Sequence, residues 1–228
     1  MILVLNLKMN LTKNSIIEYE RLIRDKKVIV LPQYPYLIFF SKGNYSLGSQ
    51  DVSKFSKGSY TGEVCAKGLK CLGVKYVLVG HSERKQYFNE TKKDIKLKLQ
   101  NVLDNEMIPI FCINQDEEEY KSDEELKHIE EQLECIPDNC KYIIIAFEPT
   151  YLIGLKNINI DIENIKKVNK KIKEYLMERG INGSIIYGGG VNEKILDDLK
   201  GTSLDGYIIS SSALDVKELS RIIDKLKL

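Results

Sequence analysis

The chain has 228 residues, with 34 Lys and Arg against 33 Asp and Glu, a net charge of +1, and no basic block set apart from acidic neighbours, which argues against nucleic acid as a partner. Its five cysteines, Cys65, Cys71, Cys112, Cys135 and Cys140, form neither CxxC pairs nor sets with His at ligand spacing, so free thiols in a reducing compartment and no metal centre are expected. The apolar start MILVLNLKMN runs into Asn6 and Lys8 without a charged leader or cleavage site, so neither a signal peptide nor a membrane span is expected, and the cytoplasm is the expected location.

Short β-rich runs recur along the chain: Ile2 to Leu7, Val28 to Leu31, Tyr45 to Gly48, Tyr76 to Val79, Ile108 to Ile113, Tyr142 to Phe147, Ser184 to Tyr187 and Gly206 to Ile209. Helical patterns lie between them. Thr91 and Asp94 have capping-box spacing before Ile95, Leu99, Val102 and Leu103. A second stripe runs from Asp161 through Ile165, Val168, Ile172 and Tyr175, with Gly180 as its stop, and a third places Leu219, Ile222, Ile223 and Leu226 on one face of Asp215 to Leu228. Strands alternating with helices imply a parallel sheet, and eight such units predict a closed (β/α)8 barrel, for which about 250 residues is usual. No linker or low-complexity segment interrupts the pattern, so a single domain over 1–228 is expected.

An open doubly wound sheet would also alternate strands and helices. The positions of the unusual residues decide against it. Asn6 and Lys8 end strand one, Gln50 follows strand three, His81 strand four, Gly188 to Gly190 strand seven and Ser210 to Ser212 strand eight. Glu148 closes strand six, where Pro149 is expected to block continuation. Only a barrel brings those ends to one face.

Each of these residues has a plain structural reading beside a chemical one. Glu148 could cap a helix or pair with a cation, but a carboxylate at one strand tip with a histidine at another suits proton transfer on a small substrate. His128, the other histidine, lies in the charged stretch SDEELKHIEEQLE and is expected to face solvent. Lys8 sits in an apolar strand, where a cation is costly without an anion, and Glu83 is a structural partner for it. The glycines of YGGGV could simply turn the chain, yet with SSSAL in the next loop they form two small-residue loops suited to holding an oxyanion on backbone N–H groups. Cys112 reads as a small core residue, and Asp116 to Glu119 as a solvated face.

Taken in order, LNLKMN, YTGE, VGHSERK, PIFCI, AFEPTYLIG, YGGGV and DGYIISSSAL make the chain resemble the triosephosphate isomerase family over essentially its whole length. The resemblance implies the TIM barrel that family is named for, no metal or organic cofactor, and interconversion of dihydroxyacetone phosphate and glyceraldehyde 3-phosphate through an enediolate, in glycolysis and gluconeogenesis. It implies that Glu148 is the base, His81 a neutral electrophile, Lys8 the cation offsetting substrate charge and Asn6 a donor to the substrate oxygen; the Glu base with a neutral His is the known pairing of that family. Ser82 and Glu83 match residues that position the histidine segment and Lys8. Gly154, Gly190, Ser210 and Ser211 match positions whose backbone receives the phosphate. Pro149, Thr150, Tyr151, Leu152, Ile153, Gly154, Leu155 and Lys156 match the lid. Tyr60, Thr61, Gly62 and Glu63 match a loop that inserts beside a second subunit's site, which implies a homodimer or a tetramer with Thr61 near Asn6 and His81 of the other subunit.

Departures from the family's pattern concentrate in the same loops. The lid usually reads P-x-W-A-I-G-T-G, whereas here Tyr151, Leu152, Leu155 and Lys156 intervene; Gly190 replaces a serine whose hydroxyl latches the closed lid, Ser210 and Ser211 replace a glycine pair, and Asn114 and Gln115 stand where Gly-Glu is usual. These changes keep two further readings open: an isomerase of a related sugar phosphate such as a tetrose phosphate, and a non-catalytic sugar-phosphate-binding barrel.

Overall fold

A computed structural model describes residues 1–40, 42–155 and 159–228. Eight parallel strands close in sequence order, β8 pairing back to β1, so the expected (β/α)8 barrel is what the chain forms. The strands are β1 (Ile2–Asn6), β2 (Ile29–Leu31), β3 (Ser46–Ser49), β4 (Tyr76–Val79), β5 (Ile108–Gln115), β6 (Tyr142–Pro149), β7 (Asn182–Tyr187) and β8 (Gly206–Ile209). The helices are α1 (Lys13–Ile23), α2 (Ala66–Cys71), α3 (Ser82–Phe88), α4 (Lys92–Asp104), α5 (Glu117–Lys121), α6 (Glu125–Leu133), α7 (Ile162–Glu178), α8 (Ser211–Leu214) and α9 (Val216–Leu226), with 3-10 turns at Tyr34–Phe39 and Thr150–Leu152. No helix among the described residues is long and apolar enough to cross a membrane.

Strand side chains alternate between two faces, and here both faces are buried, which is why the strands read as continuous apolar runs. On β6, Ile143, Ile145 and Phe147 pack outward in the same apolar layer as Ile165, Val168 and Ile172 of α7, while Ile144 and Ala146 fill the bore. Burying each such aliphatic side chain stabilises the fold by roughly 1.5–3 kcal/mol. The bore also holds Val4, Cys112, Ile186 and Ile208. Two residues further along each strand, the same parity reaches Asn6, Asn114, Glu148, Gly188 and Ser210. The layer above the apolar filling is thus polar or empty, and it lies at the C-terminal mouth, where barrels of this kind carry their sites.

Helix ends follow their expected chemistry. Thr91 and Asp94 form the reciprocal capping box of α4, at 3.2 and 3.1 Å. Asp161 caps α7 through the Asn164 N–H at 3.0 Å, and Gly180 lies just beyond the helix with φ of +63°. The acidic run is more than a solvated face, since Asp116 and Glu119 close a capping box on α5.

Two boundaries differ from expectation, and both matter for the site. β1 stops at Asn6, and Lys8 lies beyond it in a left-handed turn with φ of +48°. At the other boundary, Pro149 does not end β6 early: β5 runs to Gln115 and pairs with β6 through Asn114↔Glu148 and Gln115↔Pro149. The ladder thus carries Glu148 inside regular backbone, with Pro149 as the last residue of the strand, a place where proline is tolerated.

Candidate active site

Lys8 is fixed from three sides. Its N–H donates to Asn6 Oδ1 at 3.2 Å, and its carbonyl accepts from Gln50 Nε2 at 2.9 Å. Gln50 also donates to the Leu31 carbonyl at 2.9 Å, tying the turn to the end of β2. A left-handed conformation is uncommon for a residue with a Cβ, and these bonds hold Lys8 there. The ammonium meets Glu83 Oε1 at 2.5 Å, the structural partner expected for it. Asn6 is buried, and with its oxygen engaged by Lys8 its amide N–H groups are left for a ligand.

Gly80, with φ of +74°, turns the chain out of β4 and makes buried His81 the N-cap of α3. His81 Nδ1 accepts the Glu83 backbone N–H at 3.2 Å, so the neutral ring carries its proton on Nε2. Nε2 lies 3.6 Å from Glu148 Oε1. Arg84 of α3 forms a partly buried network with Asp51, Glu90 and Lys98, with Arg84 Nε 2.9 Å from Asp51 and Lys98 Nζ 2.6 Å from it, which anchors the helix that His81 caps.

The Glu148 carboxylate is buried, and its Oε2 accepts from Asn114 Nδ2 at 3.1 Å. Gly188 makes room for it: a Cβ there would stand 2.9 Å from Glu148 Cγ. One layer down, Cys112 is fully buried, as expected of a core residue; burial first, and the Glu148 charge second, push its thiol well up, so it stays neutral.

Lys8, His81, Glu148, Gly154, Gly190, Ser210 and Ser211 line one cavity of about 340 Å³. Asn6 faces an adjoining hollow of about 850 Å³ that shares Lys8 and His81, while Ser82 and Glu83 line a third cavity of about 670 Å³ beside Lys8. Gly154 and Gly190 have φ of +83° and +66°, conformations that glycine adopts without strain. The serine loop is tied to the glycine loop by Ser212 Oγ, which donates to the Val191 carbonyl at 3.0 Å.

In the segment expected as the lid, Thr150 to Leu152 form a 3-10 turn with Leu152 buried, and Ile153, Gly154 and Leu155 are exposed; Lys156 lies outside the described residues. Tyr151 stacks on Tyr120 at 4.9 Å, and the Tyr120 hydroxyl donates to Asp161 at 2.7 Å, linking the start of this segment to the cap of α7. Beneath Pro149 the Tyr187 hydroxyl is buried without a partner, and burial pushes its pKa well up. Tyr60, Thr61, Gly62 and Glu63 project from the surface, Tyr60 stacked on Phe55 at 3.7 Å. His128 is half-buried on α6 instead of fully solvent-facing, because its helix packs against the barrel.

Several contributors escaped sequence reading. Gln50 stood out only as a strand-end residue, Ser212 only as one of three serines, and Gln132, in a charged helix, carried no signal at all. Asn114 was visible as a departure, and the parity of β5 could have placed it beside Glu148. Among the described residues no cluster of three or more His, Cys, Asp or Glu is placed to ligate a metal ion.

Comparison with known proteins agrees with this geometry. The family model described as triosephosphate isomerase matches residues 1–226. Triosephosphate isomerase of Gloeobacter violaceus is 34% identical over 191 residues, covering 82% of this chain and 78% of the relative. Triosephosphate isomerase of Buchnera aphidicola is also 34% identical, over 87% of this chain and 84% of the relative. The crystal structure of triosephosphate isomerase from Bartonella henselae superposes with a TM-score of 0.89 at 25% identity, covering 100% of this chain and 99% of that one. The chain therefore belongs to the triosephosphate isomerase family.

Proposed function

We propose that this isomerase interconverts dihydroxyacetone phosphate and D-glyceraldehyde 3-phosphate, a step of glycolysis and gluconeogenesis. The observation that carries the reading is the facing pair in the barrel mouth, Glu148 Oε1 and His81 Nε2 at 3.6 Å, with Lys8 lining the same cavity. Glu148 takes a proton from the carbon beside the carbonyl while the His81 Nε2–H donates to the carbonyl oxygen, giving the enediolate. His81 then passes its Nε2 proton to that oxygen and takes one from the other, while Glu148 returns its proton to the neighbouring carbon, so atoms and charge balance. Lys8 and the Asn6 amide meet the developing negative charge. The backbone of Gly154, Gly190, Ser210 and Ser211 receives the phosphate, and the segment from Pro149 to Lys156 closes over it to exclude water. Ser82 and Glu83 support His81 and Lys8 from α3.

The test is kcat/KM for glyceraldehyde 3-phosphate and erythrose 4-phosphate side by side, with Glu148→Gln as control. Triose turnover that falls about 10²–10⁴-fold in the variant is expected. Turnover of the tetrose alone would reassign the substrate, and turnover of neither would leave a binding barrel.

The same reading includes a homodimer or a multiple of it. The 850 Å³ hollow beside Asn6 and His81 is walled by Met9, Tyr34, Tyr87 and Phe88, all exposed in the single chain, and the protruding loop Tyr60 to Glu63 is a segment of the right kind to fill it on a second copy. Sedimentation should give a dimer or tetramer; a fully active monomer would refute this. Free thiols and a glycolytic role are the support for a cytoplasmic location.

A further inference from the structure

A buried carboxylate with rotatable side-chain bonds needs something other than its strand to hold it in one pose. The backbone of Glu148 is set by the pairing of β5 and β6, which places Asn114 directly opposite it. Oε1 faces His81 at 3.6 Å, too long for a hydrogen bond, whereas Oε2 accepts from Asn114 Nδ2 at 3.1 Å. An ionised carboxylate can only accept, so the amide must present its nitrogen, and Asn114 Oδ1 is left buried without a partner. The amide is oriented at the expense of its own oxygen.

Asn114 is itself clamped. Its N–H donates to Gln132 Oε1 at 3.0 Å, and its carbonyl accepts from Gln132 Nε2 at 2.7 Å. Lys85 on α3 donates to Gln132 Oε1 at 3.0 Å, and because an ammonium meets only acceptors it fixes which end of the Gln132 amide is oxygen. A chain of hydrogen bonds thus runs from Lys85 through Gln132 and Asn114 to Glu148. Members of the family usually carry glycine at this place, so the contact belongs to this chain's own departures.

We infer that Asn114 is a positioning residue for Glu148: its amide holds Oε2 so that Oε1 is presented toward the substrate carbon, and Gln132 with Lys85 holds Asn114. The inference rests on the role proposed for Glu148 above. The other titratable groups facing that carboxylate are His81 from the end of β4, Lys8 from the end of β1, the neutral Cys112 thiol on β5 and Lys85 from α3.

Asn114→Gly, the residue usual in the family, removes the donor; Asn114→Asp keeps the size and replaces the donor by a second carboxylate. Measured on glyceraldehyde 3-phosphate, kcat should fall about tenfold in the first and about a hundredfold in the second, with KM changed less than about threefold. An N–H donor stabilises the charged carboxylate, so its loss should move the acid limb of kcat/KM to higher pH in both, and further in Asn114→Asp, where like charges meet. Carbon-13 NMR titration of the Glu148 carboxyl, identified by its absence in Glu148→Gln, reads the same shift without turnover. Wild-type chain inactive on the triose would refute the proposed function while this titration still decides the role of Asn114. Unchanged titration and unchanged pH profiles in both variants, whatever their Tm, would overturn the inference and leave Asn114 as a space-filling residue.

Discussion

The two sides of the barrel mouth are built on different terms. On the side of β1, β4 and β6, side chains carry the proposed chemistry: Asn6, Lys8, His81 and Glu148 are each held by at least one fixed partner, and each matches the family pattern. On the side of β7, β8 and the lid, the sequence departs at Tyr151, Gly190, Ser210 and Ser211, yet the loops still line the same cavity with Lys8, His81 and Glu148. A proton is moved by an imidazole or a carboxylate and by little else, whereas a phosphate can be received by the N–H of any residue that lets the backbone approach. Chemistry done by side chains constrains identity, and binding done by backbone constrains shape.

That contrast can be broken. Lys8→Met should have the largest effect, lowering kcat/KM by about 10³-fold or more, because it removes a fixed cation from the developing charge and leaves Glu83 unpaired; steady-state kinetics showing less than a tenfold loss would remove Lys8 from the catalytic side. Next, Gly188→Ala tests whether the empty place in the polar layer serves the proposed base: a Cβ 2.7 Å from Ile208 Cγ2 and 2.9 Å from Glu148 Cγ crowds both, and kcat should fall about a hundredfold with KM nearly unchanged. On the proposed binding side Ser212→Ala unties the two loops assigned to the phosphate, and the expected result is KM raised severalfold with kcat preserved, since one net hydrogen bond contributes about 0.5–1.5 kcal/mol. A kcat loss instead would show that the loops shape the reacting end as well.

The smallest effect belongs outside the mouth. Asp94 has its pKa lowered to about 2, by the bond from Lys54 and then by the Thr91 N–H and hydroxyl. A depressed carboxylate contributes stability above its unfolded value of about 3.9 and loses it as pH falls toward about 2. Asp94→Ala should therefore lower Tm by a few degrees at neutral pH, through loss of a cap worth about 1 kcal/mol, and the gap from wild type should narrow between pH 4 and 2 while kcat/KM stays put. A gap constant over that range would show that the cap's charge contributes nothing.

Much of this is legible in the sequence. Short β-rich runs and capped helical stripes are local signals, so eight strands, the Thr91–Asp94 box and the Asp161 cap could be read directly, and eight alternating units leave a closed barrel as the arrangement that gathers the strand ends. His81 and Glu148 stood out because a lone ionisable residue after an apolar strand needs a reason. The boundaries were less legible. Pro149 reads as a strand stop before its own position, yet the ladder between β5 and β6 continues to it, a register set by the neighbouring strand.

By itself, then, the sequence determined the elements, their order and the residue types at the mouth, since these depend on near neighbours and on side-chain chemistry. Tertiary structure decided which of those residues meet. That Gln50 bonds the Lys8 carbonyl, that Gly188 vacates space for Glu148, and that Gln132 clamps Asn114 beside the base are contacts across 42, 40 and 18 positions of chain. Closure of the barrel brings them together, and no local pattern encodes which long-range partners a closed sheet will place face to face.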